Sequence, residues 1–399
     1  MHIRVATSRI MKPSGIALFA VLLSFCAWLC PDFGVLRKGF TVPEQPGPTA
    51  WFILFSWYAV IFASLSLGQR LGGYFAGPRS ESRVPSLDSA GVYRVFTLLA
   101  ALGTVSTVIR IFQTLSIPQA LLYFYLGQGN RIKNSLYDNY SAGIPSLRYL
   151  VLYSASLAIY RAIRFRKLTL LLSINIFLLA STVLISSRLI LIATLVTSFF
   201  LLTWNKSYIR LSVLKLTILL VTVFALLSLL NASRNRNFYA KRDLSFTEAG
   251  VSEIITYLGS PFHVSIGAAR RLDEITTGDP ELYREYIDIE PELSTNSAFV
   301  HLLAQMGYPA WLYICVLCCF MGFMFGWLAS FGRSCFLLPA GAILYACAEL
   351  WRLDLFQQGI FIVWFGCGIG IPAFFALFNS RSLPVHAAPS SPPIAEPKL

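Results

Sequence analysis

Long runs of apolar residues, separated by short polar segments, fill most of the chain. Ten of these runs approach the about 20 residues that a helix needs to cross a bilayer. Within them apolar residues follow one another directly, whereas the strands of an outer-membrane barrel alternate apolar and polar residues. The pattern therefore predicts an all-α, polytopic helical bundle with spans at 14–31, 50–68, 92–112, 146–160, 168–186, 189–204, 212–230, 309–331, 334–350 and 355–378.

The overall composition agrees with this pattern. Of the 399 residues, 56% are hydrophobic and only 13% are charged, and the mean hydropathy is +0.64, which excludes an ordinary soluble domain. The first apolar run follows three basic residues, as in a signal peptide. No small-x-small cleavage pattern follows it, so a retained anchor is expected.

Basic residues exceed acidic ones by 32 to 19, which gives a net charge of +13. In a soluble domain this excess would suggest nucleic-acid binding, but in membrane proteins Lys and Arg collect in cytoplasmic loops. If the amino terminus is inside, the inner segments hold 16 basic residues and the short outer segments hold seven. The predicted location is therefore the bacterial inner membrane with both termini cytoplasmic, and no nucleic-acid partner is expected.

The polar residues divide the chain into four predicted regions. Residues 1–230 carry seven spans, 231–297 form a large periplasmic loop, 298–378 carry three more spans, and 379–399 form a disordered cytoplasmic tail rich in Pro, Ser and Ala. The loop alone holds 11 of the 19 acidic residues. Its aromatic and aliphatic residues, such as Tyr257 and Phe262, favour an ordered structure.

Three arginines are the first candidates for function. Arg234 and Arg236 lie where the seventh span leaves the membrane, and Arg188 lies in the tight outer turn between the fifth and sixth spans. A guanidinium group suits phosphate, because its planar fork donates parallel hydrogen bonds and stays charged. Interfacial snorkelling is the alternative for the loop pair, and a structural ion pair is the alternative for Arg188.

Other polar residues are weaker candidates. Glu349 and Arg352, at helical i, i+3 spacing, form either a structural ion pair or a substrate contact, and the same choice holds for Arg110 near the outer end of the third span. A lone histidine is usually structural, although it can also accept a proton. The histidines and the remaining predicted substrate contacts are His263, His301, Arg131 and Asn296.

Several kinds of chemistry are not indicated. The eight cysteines lie in or beside apolar runs, so packing rather than disulfide or metal chemistry is expected. The triplet Asp288-Ile289-Glu290 is interpreted as solvated surface rather than a metal site. There is no Walker loop, which disfavours an ATP-driven pump, and no internal repeat, which disfavours a secondary transporter. No cofactor and no metal are predicted.

Three passages in the second half of the chain resemble the O-antigen polymerase (Wzy-type) family of bacterial oligosaccharide repeat-unit polymerases. The first is Ser186-Ser187-Arg188 before an apolar run. The second is the large outer loop with its two leading arginines, continuing through residues 257–261. The third is Thr295-Asn296-Ser297-Ala298-Phe299, which leads to Gly307-Tyr308-Pro309-Ala310-Trp311 and a span that ends at residues 322–326. Related O-antigen ligases usually carry His-Asn where this chain has Thr295-Asn296, which favours a polymerase.

The resemblance implies a fold similar to the GT-C superfamily and a function as a lipid-linked oligosaccharide polymerase. The substrate would be an undecaprenyl-pyrophosphate-linked oligosaccharide in the lipid bilayer, and a flippase and a chain-length regulator would be partners. The leaving pyrophosphate supplies the energy, and Arg188, Arg234 and Arg236 would stabilise its charge. The base that deprotonates the acceptor hydroxyl is left open among Glu248, Glu253 and His263. A ligase, or a non-enzymatic glycan transporter, is the alternative.

Overall fold

Helices make up nearly all the regular structure in the computed structural model of the chain. The structure describes residues 2–5, 11–29, 46–77, 84–125, 143–185, 189–204, 209–212, 217–218, 221–222, 224–225, 228–229, 245–277 and 297–381. Within these ranges the strands are β1 (His2–Val5) and β2 (Ile209–Ser212), which pair in antiparallel fashion with His2 opposite Ser212.

The helices follow the apolar runs closely. Two short 3₁₀ segments, Ile144–Leu150 and Leu355–Gln357, lie among them. The α-helices are α1 (Pro13–Trp28), α2 (Pro48–Ala76), α3 (Ala90–Thr114), α4 (Ile117–Tyr125), α5 (Val151–Phe165), α6 (Leu170–Ile185), α7 (Leu189–Thr203), α8 (Phe246–Arg270), α9 (Leu272–Thr277), α10 (Ala298–Met306), α11 (Ala310–Ala329), α12 (Leu337–Glu349) and α13 (Gly359–Arg381).

Polar caps define where several helices begin. Ser89 accepts a hydrogen bond from the Val92 amide at the start of α3, and Ser297 does the same for Val300 at the start of α10. Ser245 begins α8 with a capping box, in which its hydroxyl accepts from the Glu248 amide and the Glu248 carboxylate accepts from the Ser245 amide. Such caps satisfy amide groups that the first helical turn leaves unpaired.

Among the described residues, four helices are long and apolar enough to cross a membrane. They are α2, α3, α11 and the segment Gly359–Phe378 of α13. Four shorter apolar helices, α1, α6, α7 and α12, match further predicted spans. The protein is thus a helical membrane protein, in which these eight helices coincide with predicted spans. The predicted span at 212–230 lies largely outside the described residues.

The predicted span at 146–160 differs from a single helix. Its first part belongs to the 3₁₀ segment Ile144–Leu150, which has a proline in its first turn, and α5 follows it from Val151. α5 extends over about 22 Å, which is shorter than the about 30 Å of a bilayer core. The apolar pattern identified the segment correctly, but it could not reveal that the helix is interrupted near its amino-terminal end.

Glycines set the close packing of α2 against α11. A Cβ atom on Gly68 would lie 1.9 Å from the Cys319 carbonyl oxygen, and one on Gly72 would lie 2.0 Å from that of Phe323. From the other side, a Cβ on Gly322 would lie 2.4 Å from the Leu65 carbonyl oxygen. Small residues four apart allow two membrane helices to bring their backbones together. This packing ties the amino-terminal half of the chain to the carboxyl-terminal half.

Large apolar side chains cover the outside of the bundle. Phe52 on α2, Leu98 on α3, Phe177 on α6 and Leu312 on α11 are each between 68% and 74% exposed. Soluble monomers rarely expose extended apolar surfaces. This surface is therefore suited to contact with lipid.

Much of the predicted periplasmic loop is a packed helix. α8, within residues 231–297, runs beside α1: the Ser24 hydroxyl donates to the Leu258 carbonyl at 2.6 Å, and the Trp28 indole donates to His263. Val264 is fully buried. The sequence predicts an ordered segment here from residues such as Tyr257 and Phe262, and in the structure the apolar residues form a face that α1 and α2 cover.

The two ends of the bundle differ in chemistry. At one end, called the basic end here, residues 84–89, 161–169 and 330–336 meet: the Cys335 amide donates to the Pro85 carbonyl, and Arg164 pairs with Asp88 at 3.2 Å. α12 starts near this end and carries Glu349 about 20 Å away, since each residue rises about 1.5 Å. The opposite end, called the polar end, holds Glu349 and the turn that follows it.

Candidate functional site

A buried ion pair lies at the polar end, where α12 stops. The Arg352 Nη2 and Nε atoms donate to the Glu349 Oε2 atom at 2.7 and 3.1 Å. Each residue is only 7% exposed. The turn positions the pair, because the Arg352 amide also donates to the Glu349 carbonyl at 2.8 Å. The sequence placed these two side chains on one helical face, and the structure confirms that they meet.

Aromatic side chains enclose this pair. The Arg352 guanidinium lies 4.8 Å from the centre of the Tyr257 ring, which comes from α8. Tyr345, one helical turn before Glu349, is buried beside the same two charges. Its hydroxyl completes no hydrogen bond of ordinary geometry with the described residues. Arginine over an aromatic face is a favourable contact, and it leaves part of the guanidinium fork free to bind a further acceptor.

A second polar cluster begins two residues further on. Asp354 is 2% exposed; its Oδ1 atom accepts from the Phe356 amide at 3.1 Å, and its Oδ2 atom accepts from the Tyr313 hydroxyl at 3.2 Å. The Gln357 side chain donates to that hydroxyl at 2.9 Å. The cluster therefore joins the turn after α12 to α11.

Burial raises the pKa of the Asp354 carboxyl above its ordinary value. The hydrogen bonds from the Phe356 amide and the Tyr313 hydroxyl oppose this shift, as does the nearby His301. His301 itself is exposed on α10. A buried carboxylate with a raised pKa, within the electrostatic influence of an exposed histidine, is a candidate for proton transfer.

His263 lies in a separate aromatic environment. It is fully buried, and its Nδ1 atom accepts from the Trp28 indole at 3.3 Å. Phe262, next to it, contacts Phe25 and Trp28 with ring centroids 5.1 and 5.3 Å apart. These contacts fix α8 against α1, which favours a structural role for His263 over the predicted role as a base.

The two acidic candidates of α8 lie far from His263 along the helix. Glu248 is the exposed capping residue of the first turn, and 15 residues separate it from His263, which corresponds to about 22 Å. Glu253 is ten residues from His263, or about 15 Å, on the same helix. The structure therefore does not bring these three candidate bases into one site.

The remaining predicted residues fall outside these clusters. Arg110 is half-buried near the end of α3, where its carbonyl accepts from Thr114. The other predicted contacts lie outside the described residues: Arg131, Arg188, Arg234, Arg236 and Asn296.

Two buried charged residues were missed by the sequence analysis. Asp354 lies in the same short turn as Arg352. A charged residue in a tight turn between two apolar runs is the criterion that singles out Arg188, and Asp354 meets it as well. Arg148 is 1% exposed and donates to the Tyr149 hydroxyl at 2.7 Å and to Thr107 at 3.2 Å. Arg148 lies at the start of the predicted span at 146–160, and its burial follows only from the packing of this segment against α3.

Metal binding finds no support among the described side chains, where no group of three or more His, Cys, Asp and Glu residues could hold an ion. The site thus offers a guanidinium, two carboxylates, tyrosine hydroxyls and a histidine. This set can bind an anionic oxygen group and move a proton.

Comparison with known proteins does not identify the chain. It matches no protein-family model, and neither the curated proteins nor the solved structures include a significant match to it. Its function is therefore inferred from its own residues and their geometry.

Proposed function

We propose that the protein is a glycosyltransferase that polymerises undecaprenyl-pyrophosphate-linked oligosaccharide repeat units. The reaction takes place at the polar end of the bundle, on the periplasmic face of the bacterial inner membrane. The product is an O-antigen, capsule or exopolysaccharide. A flippase that delivers the repeat units and a chain-length regulator are the expected partners.

The main support for the proposal is the group of buried ionisable residues at the polar end. Glu349, Arg352 and Asp354 lie within one turn between two apolar helices. Ionisable residues are costly in this setting and usually mark a functional site. A transporter needs polar residues along a path through the membrane, whereas these residues are gathered at one end.

Arg352 is suited to the leaving group. In the proposed reaction the bond between the first sugar of the growing glycan and its pyrophosphate breaks, and the pyrophosphate departs with the electron pair. Glu349 and Tyr257 hold the guanidinium in place, so its remaining N–H groups are already oriented when the negative charge develops. Such pre-positioned donors stabilise a transition state without reorganisation.

Asp354 is suited to the acceptor. The hydroxyl of the incoming repeat must lose its proton as the new glycosidic bond forms, and a carboxylate with a raised pKa is an effective base near neutral pH. Exposed His301 interacts electrostatically with Asp354 and can pass the proton to solvent. Asp354 thus joins Glu248, Glu253 and His263 as a candidate base, and its geometry is the most favourable.

The test uses a bacterial strain that lacks its own polymerase, with the glycan ladder separated on a gel. The wild-type protein should restore long chains, whereas Asp354→Asn should leave single repeats. The asparagine keeps the size and the acceptor oxygen of the side chain, so the variant should express normally. Arg333→Ala, at the basic end, is the control that should keep the ladder.

The same gel separates the alternatives. Loss of a ligase would leave full-length polymer on its lipid carrier, and loss of a transporter would leave few repeats outside the membrane. If Asp354→Asn expresses normally and gives the complete ladder, Asp354 is not the base. If the wild-type protein adds no repeats to any lipid-linked acceptor, the polymerase proposal fails.

A further inference from the structure

A cavity of about 310 Å³ opens at the basic end, between α3, α5 and the start of α6. Tyr93, Arg161, Phe165, Lys167 and Thr169 line most of its wall. Its volume is at the lower end of the about 300–1,000 Å³ typical of small-molecule sites. It is therefore large enough for a polar headgroup but not for a whole lipid. It lies at the opposite end of α12 from Glu349 and has no part in the proposed polymerisation.

The charge of the cavity is positive. Arg161 donates through Nη1 to the Asp88 carbonyl at 2.7 Å, and its guanidinium makes no ion pair with a described residue. Lys167 is exposed and likewise makes no hydrogen bond or ion pair with any described residue. The neighbouring carboxylate, that of Asp88, is already paired with Arg164 at 3.2 Å. Among the described residues, these two cations of the wall therefore have no acidic partner.

The other groups around the cavity favour an anion as well. The Arg161 guanidinium lies 5.4 Å from the centres of both the Tyr93 and Phe165 rings, which hold it in place. Thr169 caps the first turn of α6, since its hydroxyl and carbonyl oxygens accept from the Leu172 amide at 3.3 and 2.9 Å. The positive end of the α6 dipole therefore lies at the wall that carries Lys167.

Apolar side chains beside the cavity indicate where the ligand comes from. Leu168 is 91% exposed and Leu170 is 79% exposed, and Ile163 and Phe165 are each about half exposed. Leu168 lies directly between two residues of the cavity wall. A soluble phosphate compound would make no favourable contact with these apolar side chains, whereas the acyl chains of a lipid can lie against them.

We propose that this cavity binds the phosphate headgroup of an anionic phospholipid from the adjacent leaflet. Arg161 and Lys167 hold the phosphate oxygens, and the acyl chains lie over Leu168 and Leu170. The count of basic residues in the loops predicts that this leaflet is the cytoplasmic one. Basic pockets between membrane helices on that side are suited to such headgroups.

The test is native mass spectrometry of the full-length protein, released from detergent after addition of phosphatidylglycerol or phosphatidylcholine. The wild-type protein should retain one phosphatidylglycerol in clear preference to phosphatidylcholine. Lys167→Gln should lower the retained fraction roughly tenfold, because a hydrogen bond to a charged group has about that effect on affinity. This variant loses no hydrogen bond or ion pair to a described residue, and Lys167 is exposed, so the variant should fold normally. Arg161→Gln should have a similar effect.

Arg166→Gln is the matched control. Arg166 lies in the same loop, at a left-handed φ of 53°, but it does not line the cavity. The variant removes an equal charge and should keep nearly full retention. If it lowers retention as much as Lys167→Gln does, the attraction is diffuse and the proposed site is wrong.

Two further outcomes would overturn the proposal. Equal retention of both lipids would show that the headgroup charge is not recognised. Displacement of the lipid by glycerol 3-phosphate at comparable concentration would show that the site recognises a soluble phosphate compound rather than a lipid. Persistence of the complex at millimolar glycerol 3-phosphate would support the lipid.

Discussion

Removing one partner of the Glu349–Arg352 pair should destabilise the protein far more than removing both. Both side chains are 9% exposed, and two hydrogen bonds join them. Arg352→Met leaves a buried carboxylate without a partner, which typically costs about 3–5 kcal/mol. Glu349→Gln leaves the guanidinium against Tyr257 without its carboxylate. The double variant buries two neutral side chains of similar volume, and its free energy of unfolding should approach that of the wild type.

The measurement is a denaturant titration of the purified protein in detergent, for the wild type, both single variants and the double variant. Because the double variant should recover most of the wild-type stability, the coupling energy should be close to the summed losses of the two single variants, and therefore at least about 3–5 kcal/mol. Arg164→Met is the matched control. Its ion pair with Asp88 is 36% and 35% exposed, so its loss should cost no more than about 1 kcal/mol.

The same four proteins show whether the Glu349–Arg352 pair stabilises the fold, takes part in the reaction, or does both. If Arg352 stabilises the leaving pyrophosphate, the double variant should regain stability and still make no polymer. A stable and active double variant would show that the pair is purely structural. An Arg352→Met protein as stable as the wild type would refute the assignment of a buried, coupled pair.

Three further predictions concern packing, topology and pH. Gly68→Val should abolish expression of folded protein, because its Cβ would lie 1.9 Å from a backbone oxygen, whereas Gly73→Ala should be tolerated, since nothing lies within 4 Å of a Cβ at that position. Size-exclusion chromatography distinguishes folded from aggregated protein, and normal elution of Gly68→Val would contradict the packing. Reporter fusions after Lys167 and Arg333 should report cytoplasm, and a periplasmic result for both would invert the orientation. The rate of polymerisation by the wild type should rise as the pH passes the raised pKa of Asp354, because the base is ionised only above that pKa. If Asp354→Asn keeps the wild-type rate and the same loss of rate at low pH, Asp354 is not the base.

The apolar runs located most of the helices because the thickness of the hydrocarbon core fixes how many consecutive apolar residues a span needs. Predicted spans at 50–68 and 92–112 lie within α2 and α3, although both helices extend beyond them. The runs did not reveal the 3₁₀ segment before α5. They also did not reveal that α1 and α2 cover the apolar face of α8, because this contact joins segments at least 170 residues apart in sequence (246 − 76).

The candidate site was predicted only where its residues are close in sequence. The i, i+3 spacing of Glu349 and Arg352 was enough to predict their contact, because helical geometry fixes it. The contact of Arg352 with Tyr257 joins residues 95 positions apart (352 − 257). No local pattern encodes such a contact, since it requires α8 to be placed beside the end of α12.

The sequence by itself determined that this protein is a helical membrane protein with its acidic residues gathered in one segment, because hydrophobic length and charge are properties of the chain alone. The tertiary structure decided which polar side chains share a site. It separated His263 from Glu248, joined Asp354 to Tyr313, and formed the basic cavity around Arg161. Each of these outcomes depends on how helices distant in sequence pack, and that packing is set by the shapes of facing surfaces, such as the glycine contacts of α2 and α11.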